Sequence, residues 1–181
     1  MNTILTITQQ DIEPEFVPKE GVVFKERRAA RAVLFDKNGR VALLHAARLG
    51  YHKLPGGGVE EGEDIALALA RELQEEVGAE ATVLSEIGEV EEWRVDAAGG
   101  LHQLSEAFVA EVSGSIGEPE FTEKELADGF SVVWAQDIDD AISRVSETLD
   151  HEDSGVRFMT LRDKAILEAV AMDKGKALES K

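Results

Sequence analysis

Three glutamates close together in one segment are the residues of this sequence best suited to chemistry. Glu72, Glu75 and Glu76 are spaced i, i+3 and i+4, so in a helix their carboxylates lie on one side. Their mutual repulsion is costly unless a positive charge lies among them. Mg²⁺ and Mn²⁺ suit that position, because both ions prefer oxygen ligands and retain water molecules that can be activated for attack. The spacing therefore favours a divalent metal site.

The residues around these glutamates help to distinguish a metal site from an acidic helix face that is merely hydrated. Gly56 to Gly58 precede the helix, and a glycine-rich entry lets backbone groups approach a metal ion or a phosphate closely. A hydrated helix has no need of such an entry. Arg71 lies four residues before Glu75 and can pair with it, and Glu63, near the start of the helix, can also reach Arg71.

The segment from Gly57 to Ala79 resembles the signature of the Nudix hydrolase family. Five residues separate Gly57 from Glu63 and seven separate Glu63 from the next part of the signature. That part is the run Arg71-Glu72-Leu73-Gln74-Glu75-Glu76-Val77-Gly78. The one departure is Ala79, where the family usually has a larger aliphatic residue, and this change affects packing more directly than catalysis.

The resemblance extends loosely over residues 29 to 146, and it implies a fold, a reaction and a set of ligands. The fold is an α/β/α sandwich with a mixed sheet. The reaction is Mg²⁺- or Mn²⁺-dependent hydrolysis of a nucleoside diphosphate linked to another group X, by attack of water on phosphorus. The residues that it implies at the metal are Glu72, Glu75, Glu76 and, through its carbonyl oxygen, Gly57. It implies that Arg71 and Glu63 orient these ligands.

Two parts of the chain could supply the general base. Members of the family take it either from the signature helix, here Glu75 or Glu76, or from a distant loop. In this sequence the segment around FTEKELADGF offers Glu120, Glu123 and Glu125. Long loops often carry catalytic groups, although simple hydration is the alternative for these three side chains.

Several other residues are weaker candidates. Arg27, Arg28 and Arg31 form a basic cluster for which hydration at a strand edge is the simpler interpretation and contact with a substrate phosphate the alternative. His52 adjoins the glycine-rich loop and could contact a nucleotide, and Trp93 could stack on a base, although packing is the simpler role for each. The chain has no cysteine, which excludes a thiol nucleophile, a disulfide and a Cys-ligated zinc site.

Hydrophobic periodicity and turn residues predict the elements that position these groups. Ile65, Leu69, Leu73 and Val77 recur every four residues, which predicts a helix over 64–77 that ends at Gly78. Hairpins are predicted across the turns at 36–39 and 96–100, a loop over 113–129, a strand around Trp134, a helix from Asp137 to Ser146 and a helix over 155–172. A mixed sheet with helices on both sides accommodates this order.

The length of 181 residues predicts one domain, which we place at residues 22–173, with an N-terminal arm over 1–21 and a tail over 174–181. The arm is polar and is expected to be an extension or an edge strand. It lacks the basic and apolar regions of a signal peptide, and no segment is apolar enough to span a membrane, so a cytoplasmic protein is expected. The sequence does not predict an oligomeric state.

The net charge restricts the partners of the protein. The chain has 37 acidic and 19 basic residues, a formal net charge of −18. Such a surface repels nucleic-acid backbones and anionic membranes, so neither duplex nucleic acid nor a membrane is an expected partner. A small nucleotide is the expected one, and divalent cations would connect its phosphates to the carboxylates.

The favoured substrate is a nucleoside triphosphate such as 8-oxo-dGTP. A single domain whose arm is too short to form a separate dimerisation domain resembles the small triphosphate-cleaving members of the family. ADP-ribose and dinucleoside polyphosphates are the alternative substrates. A catalytically silent nucleotide-binding module is a further alternative, although the intact Arg71 and its three neighbouring glutamates argue against it. A calcium-binding or acidic interaction protein is a weaker one, because no EF-hand loop is present.

Overall fold

Residues 1–17, 20–96 and 99–179, which the computed structural model describes, contain seven strands in one mixed, open sheet. The strands are β1 (Thr3–Thr8), β2 (Phe24–Phe35), β3 (Val41–Ala46), β4 (Tyr51–Lys53), β5 (Ala79–Asp96), β6 (Gly99–Ile116) and β7 (Phe130–Ala135). The helices are α1 (Gln9–Ile12), α2 (Ile65–Val77), α3 (Glu123–Ala127), α4 (Ile138–Ser146) and α5 (Ser154–Glu179). The sheet has the order β1-β5-β6-β2-β3-β4, and β7 also pairs with β3.

The two faces of the sheet bury different helices, which confirms the predicted α/β/α sandwich. Successive side chains of a strand point to opposite faces, so Ala32 and Leu34 of β2 pack with α2 whereas Val33 and Phe35 pack with α5. Each face therefore has its own apolar cluster, and β2 lies between them.

The predicted hairpin across residues 36–39 is only partly right. The turn is present, with Gly39 at φ +80°, but β2 and β3 pair at a single position, Phe35 with Val41. The reason is that both edges of β2 are taken: β6 pairs with it in parallel along its whole length, and the glycine-rich loop lies along its other edge. The strand β3 pairs instead with β4 and β7.

The hairpin of β5 and β6 is confirmed as an antiparallel pair, although Ala97 and Ala98 of its predicted turn lie outside the described residues. The loop predicted over 113–129 is shorter than expected, because β6 continues to Ile116 and α3 occupies 123–127. The helix α4 begins after Asp137, whose side chain accepts a hydrogen bond from the Asp140 amide at 2.9 Å.

Among the described residues, regular elements lie near both ends of the chain. Within the segment assigned to the N-terminal arm, β1 lies parallel to β5 at the edge of the sheet, and Ile7 and Ile12 are buried in the α5-side core. At the other end the backbone of α5 continues to Glu179, so most of the segment assigned to the tail is helical, while residues 180 and 181 lie outside the described residues.

Candidate active site

The helix α2 is defined at both ends by its sequence. At its start Asp64 accepts a hydrogen bond from the Ala66 amide at 2.8 Å, and at its end Gly78 takes the left-handed conformation with φ +69°. Leu69 and Leu73 are buried against the sheet. The opposite side of the helix is therefore free to carry the polar groups of the site.

The glycine-rich loop lies along β2, and its backbone lies beside the Glu72 carboxylate of α2. The Gly57 carbonyl accepts a hydrogen bond from the Ala30 amide at 2.9 Å, and the Val59 amide donates one to the Arg28 carbonyl at 2.9 Å. A Cβ atom on Gly57 would lie 2.2–2.4 Å from the carboxylate atoms of Glu72. Only glycine therefore allows this carboxylate to rest against the loop.

Arg71 connects the loop to the carboxylates of α2. Its guanidinium donates hydrogen bonds to both carboxylate oxygens of Glu63 at 3.0 Å, to Glu72 at 2.9 Å, to Glu75 at 3.3 Å and to the Gly58 carbonyl at 3.1 Å. The hydrogen bond from Arg71 holds the pKa of Glu63 below its usual range. Arg71 thus fixes Glu63 and Glu72 in place.

Glu76 has different partners from the other two glutamates, because its side chain turns inward. It accepts hydrogen bonds from the Lys53 ammonium at 2.8 Å and from the Gly56 amide at 2.6 Å. Its side chain is only 5% exposed, and this burial raises the pKa of Glu76 in spite of the favourable charge of Lys53. The Glu76 carboxylate is therefore held in the interior, against the Gly56 amide of the glycine-rich loop.

The donor groups of the site fit a hard divalent cation. Glu72, Glu75, Glu76 and the Gly57 carbonyl supply oxygen alone, the ligand that Mg²⁺ and Mn²⁺ prefer. Within the described ranges, no three acidic or histidine side chains are already arranged to hold a metal ion. Each carboxylate instead contacts a fixed cation, Arg71 or Lys53.

Comparison with known proteins relates this geometry to a family. The sequence model of the NUDIX domain matches residues 25–178, which is most of the chain and includes the loop and α2. The chain belongs to the Nudix hydrolase family. The expected enzyme class, a Nudix-type hydrolase, is confirmed with it.

One curated relative and two solved structures illustrate the similarity of this Nudix chain to known proteins. An RNA pyrophosphohydrolase from Acidiphilium cryptum (strain JF-5) is 40% identical over 67 residues, which cover 34% of this chain and 40% of the relative. The chain thus matches less than half of that protein. A NUDIX hydrolase from Nitrosomonas europaea has a TM-score of 0.54 at 21% identity, with 77% of this chain and 88% of that one covered. The E. coli ORF135 protein has a TM-score of 0.53 at 22% identity, with 82% and 91% covered. These two structures support the fold alone.

Two of the glutamates that the sequence offers as alternative bases, Glu123 and Glu125, lie in α3. Glu123 is exposed, and Glu125 accepts hydrogen bonds at 2.8 Å from the Thr122 amide and hydroxyl, which caps α3. Neither side chain is hydrogen-bonded to α2 in the part of the chain that the structure describes. The segment itself is anchored there, since the Glu120 amide donates to the Glu75 carbonyl at 2.6 Å.

The structure shows the surroundings of three other candidates from the sequence: His52, Trp93 and Arg31. His52 lies beside His45, with ring centroids 4.7 Å apart, and partial burial lowers the pKa of His52. Trp93 stacks on His102 at 3.8 Å. Hydration at a strand edge is wrong for Arg31, which is only 5% exposed.

Sequence reasoning missed two contributions to the site. Lys53 follows His52 in a three-residue strand, so the two side chains point to opposite faces and the cation, not the histidine, reaches Glu76. Asp163 of α5 accepts a hydrogen bond from the Leu54 amide at 2.9 Å and thereby holds the chain just before the loop. The alternation of side chains in β4 could have indicated the first of these, whereas no local signal indicates the second.

Proposed function

We propose that the protein is a Mg²⁺- or Mn²⁺-dependent pyrophosphohydrolase that cleaves a nucleoside diphosphate linked to X. The observation that carries the proposal is the set of α2 carboxylates fixed beside the glycine-rich loop by Arg71. Glu72, Glu75, Glu76 and the Gly57 carbonyl would hold the metal. When bound, the cation would lower the pKa of a water molecule and neutralise charge on phosphate oxygens.

The residues of the chain have separate tasks in this reaction. Arg71 orients Glu72 through a 2.9 Å hydrogen bond and leaves Glu75, whose side chain is 45% exposed, more accessible to a water molecule. Glu75 or Glu76 accepts the proton of the attacking water. Glu123 and Glu125 remain alternative bases, because Glu123 is exposed on α3 and the Glu120 amide anchors this segment to α2.

The proposed substrate is a nucleoside triphosphate such as 8-oxo-dGTP, which would be cleaved to the monophosphate and pyrophosphate. ADP-ribose and dinucleoside polyphosphates are the competing substrates. An RNA that carries a phosphoanhydride is a further one, suggested by the name of the relative from Acidiphilium cryptum, an RNA pyrophosphohydrolase. The net charge of −18 disfavours a long RNA, because repulsion grows with the number of phosphates near the protein.

A panel of substrates tests the proposal. The purified protein is assayed with Mg²⁺ and with Mn²⁺ against triphosphates that include 8-oxo-dGTP, ADP-ribose, dinucleoside polyphosphates and a short 5′-triphosphorylated RNA. We expect the highest kcat/KM for a triphosphate. A tenfold higher value for ADP-ribose or a dinucleoside polyphosphate would overturn the preference while keeping the reaction class. Nucleotide binding without turnover of any compound would instead favour the silent module.

A further inference from the structure

Five buried polar side chains lie together on the side of the sheet that faces α5. They come from β5, β6 and α5, and each of them is at most 1% exposed. The proposed reaction assigns no task to four of the five, and the fifth is known so far only as a contact of the chain before the glycine-rich loop. We call these residues the buried polar network: Glu92, Gln103, Ser105, Arg162 and Asp163.

Hydrogen bonds and ion pairs join the buried polar network across the three elements. The Gln103 amide group donates to Glu92 at 2.5 Å and to the Ser105 hydroxyl at 3.0 Å. Arg162 lies 3.7 Å from Glu92, and its Nε donates to Asp163 Oδ1 at 2.7 Å. Burial lowers the pKa of Arg162, but the charges of Asp163 and Glu92 outweigh burial and raise this pKa overall. A charged Arg162 therefore holds one oxygen of Asp163 in place.

The second oxygen of Asp163 reaches the segment that precedes the glycine-rich loop. Asp163 Oδ2 accepts a hydrogen bond from the Leu54 amide at 2.9 Å, one residue after β4 ends. Leu54 is fully buried, so its amide needs an acceptor inside the protein. Two residues further on, the Gly56 amide donates to Glu76 at 2.6 Å. The contact of Asp163 therefore lies two residues from a contact of Glu76.

The loop and the residues before it are held from two directions. The Ala32 amide donates to the Pro55 carbonyl at 3.1 Å, and the Ala30 amide donates to the Gly57 carbonyl at 2.9 Å. These bonds join the loop to the edge of β2 and lie in the sheet, as bonds between neighbouring strands do. Asp163 instead reaches the chain from the helix layer. The bonds to β2 can therefore persist when the contact with Asp163 is lost.

A buried ion pair is weak evidence for a stabilising role. Replacing such a pair by well-packed apolar residues often leaves stability unchanged or improves it, because the cost of desolvating the charges offsets their attraction. Apolar side chains could fill the space of Arg162 and Asp163, but they could not accept the hydrogen bond of the Leu54 amide. This hydrogen bond is the contribution of Asp163 that packing cannot replace.

We propose that Asp163 is a positioning residue for the reaction. Through the Leu54 amide it sets the position of Gly56, and through the Gly56 amide it sets the position of the Glu76 carboxylate. The other members of the buried polar network hold Asp163 in its orientation. The inference rests on the proposed function, in which Glu76 is a metal ligand and a candidate base. Loss of the hydrogen bond to Leu54 should therefore slow the chemical step and leave substrate binding nearly unchanged.

Two double variants that differ in one hydrogen-bond acceptor test the proposal by turnover. Arg162→Met/Asp163→Asn and Arg162→Met/Asp163→Leu both remove the buried ion pair and have the same net charge, but only the asparagine can accept from the Leu54 amide. We expect kcat to be about tenfold or more lower in the leucine variant than in the asparagine variant, with similar KM, since a misplaced group slows the chemical step. A merely structural role would give both variants the same kcat, and that result would overturn the proposal.

Amide hydrogen exchange, followed by NMR without metal or substrate, tests the same hydrogen bond independently of turnover. We expect the Gly56 amide to exchange about tenfold or more faster in the leucine variant than in the asparagine variant, while the Val33 amide of β2 exchanges equally in both. Equal acceleration at Gly56 and Val33 would indicate a general loss of stability and would contradict the proposal. An unchanged rate at Gly56 would contradict it as well.

A change to the backbone keeps the proposal testable if the leucine variant does not fold. Incorporating the α-hydroxy acid analogue of leucine at position 54 removes the amide N–H and leaves every side chain in place. It should lower kcat and accelerate exchange at Gly56 as the leucine variant does, and wild-type values would overturn the proposal. If the wild type hydrolyses none of the compounds in the panel, the proposed function fails, while the exchange rates still decide whether Asp163 positions the loop.

Discussion

Adjacent glutamates of α2 occupy very different surroundings. Glu75 is 45% exposed and makes one 3.3 Å hydrogen bond to Arg71, whereas Glu76 is 5% exposed and is held by Lys53 and the Gly56 amide. A half-exposed carboxylate can reach water and substrate, and a buried one keeps a fixed position. The two residues therefore contribute to the site in different ways even though both supply carboxylate oxygens.

Glu75→Gln and Glu76→Gln remove one negative charge each while keeping the shape of the side chain. We expect each to lower kcat by about two orders of magnitude or more, comparable to the loss of a general base or a charge stabiliser. Steady-state kinetics on the best substrate measures the change. Glu80→Gln is the matched control, since Glu80 is exposed on β5 just beyond the helix, and it should keep wild-type kcat. A Glu75 variant with undiminished kcat would remove this residue from the reaction.

Lys53→Met leaves the buried carboxylate of Glu76 without its cation. We expect a loss of about 3–5 kcal/mol in the free energy of unfolding at pH 7, because an unpaired buried charge is strongly destabilising. Burial raises the pKa of Glu76, so the folded protein protonates this group as the pH falls, and neutral Glu76 needs no cation. The loss measured by urea unfolding should therefore shrink in acid. A loss that is independent of pH would show that Lys53 stabilises the fold by packing alone.

At the scale of the element, one face of α2 carries residues that stabilise the fold, and the other carries residues proposed for catalysis. Leu73 is 2% exposed and packs on the sheet, so Leu73→Ala should lower the free energy of unfolding by about 2–5 kcal/mol. Arg71 lies on the other face, and Arg71→Ala should reduce kcat while changing the melting temperature little. Thermal melts and kinetics on the two variants make the comparison. Unchanged melting of Leu73→Ala would mean that the other face of the helix is buried.

The glycine-rich loop depends on close approach at one position. Gly57 does not have a positive φ, so Gly57→Ala introduces no backbone strain, but its Cβ would overlap the Glu72 carboxylate. That side chain can swing away, and we expect normal melting with a kcat lowered by about tenfold or more, since a displaced ligand is poorly positioned. Gly114→Ala is the control, because its Cβ would meet only a Glu80 oxygen at 4.0 Å. Wild-type kcat in Gly57→Ala would show that Glu72 need not touch the loop.

The sequence predicts α2 well because its determinants are local: an apolar residue every fourth position, Asp64 before the helix and Gly78 after it. The pairs of Arg71 with Glu63 and Glu75 were expected from position in the signature and along the helix, and both are present. The contact of Asp163 with Leu54 joins residues 109 positions apart, so only the packing of α5 on the sheet creates it.

The limits of the sequence are also visible in β2 and its neighbours. A turn at residues 36–39 predicts a hairpin, yet competition from β6 and the glycine-rich loop for the edges of β2 leaves a single paired position. From the sequence, hydration at a strand edge is the simpler interpretation of Arg31. In the structure Arg31 is buried, because it lies on the side of β2 that faces α5. Such outcomes depend on which strands become neighbours.

At the scale of the whole molecule, the distribution of charge limits the choice of ligand. The net charge of −18 repels polyanions in general, while Arg71 and Lys53 provide positive charge among the carboxylates of α2. No helix in the described part of the chain has both the length and the apolar character required to cross a membrane. A small, phosphate-bearing substrate is consistent with this distribution.

We propose that α2 and a divalent cation together hydrolyse a phosphoanhydride. The most direct measurement is product release from 8-oxo-dGTP, or from the best substrate of the panel, as Mg²⁺ is titrated into metal-free wild-type protein and into Glu72→Gln. We predict no turnover in EDTA, activity that rises and saturates with Mg²⁺ in the wild type, and a higher Mg²⁺ requirement in the variant because one oxygen ligand has lost its charge. Equal turnover in EDTA and in saturating Mg²⁺ would show that no divalent cation takes part in the reaction.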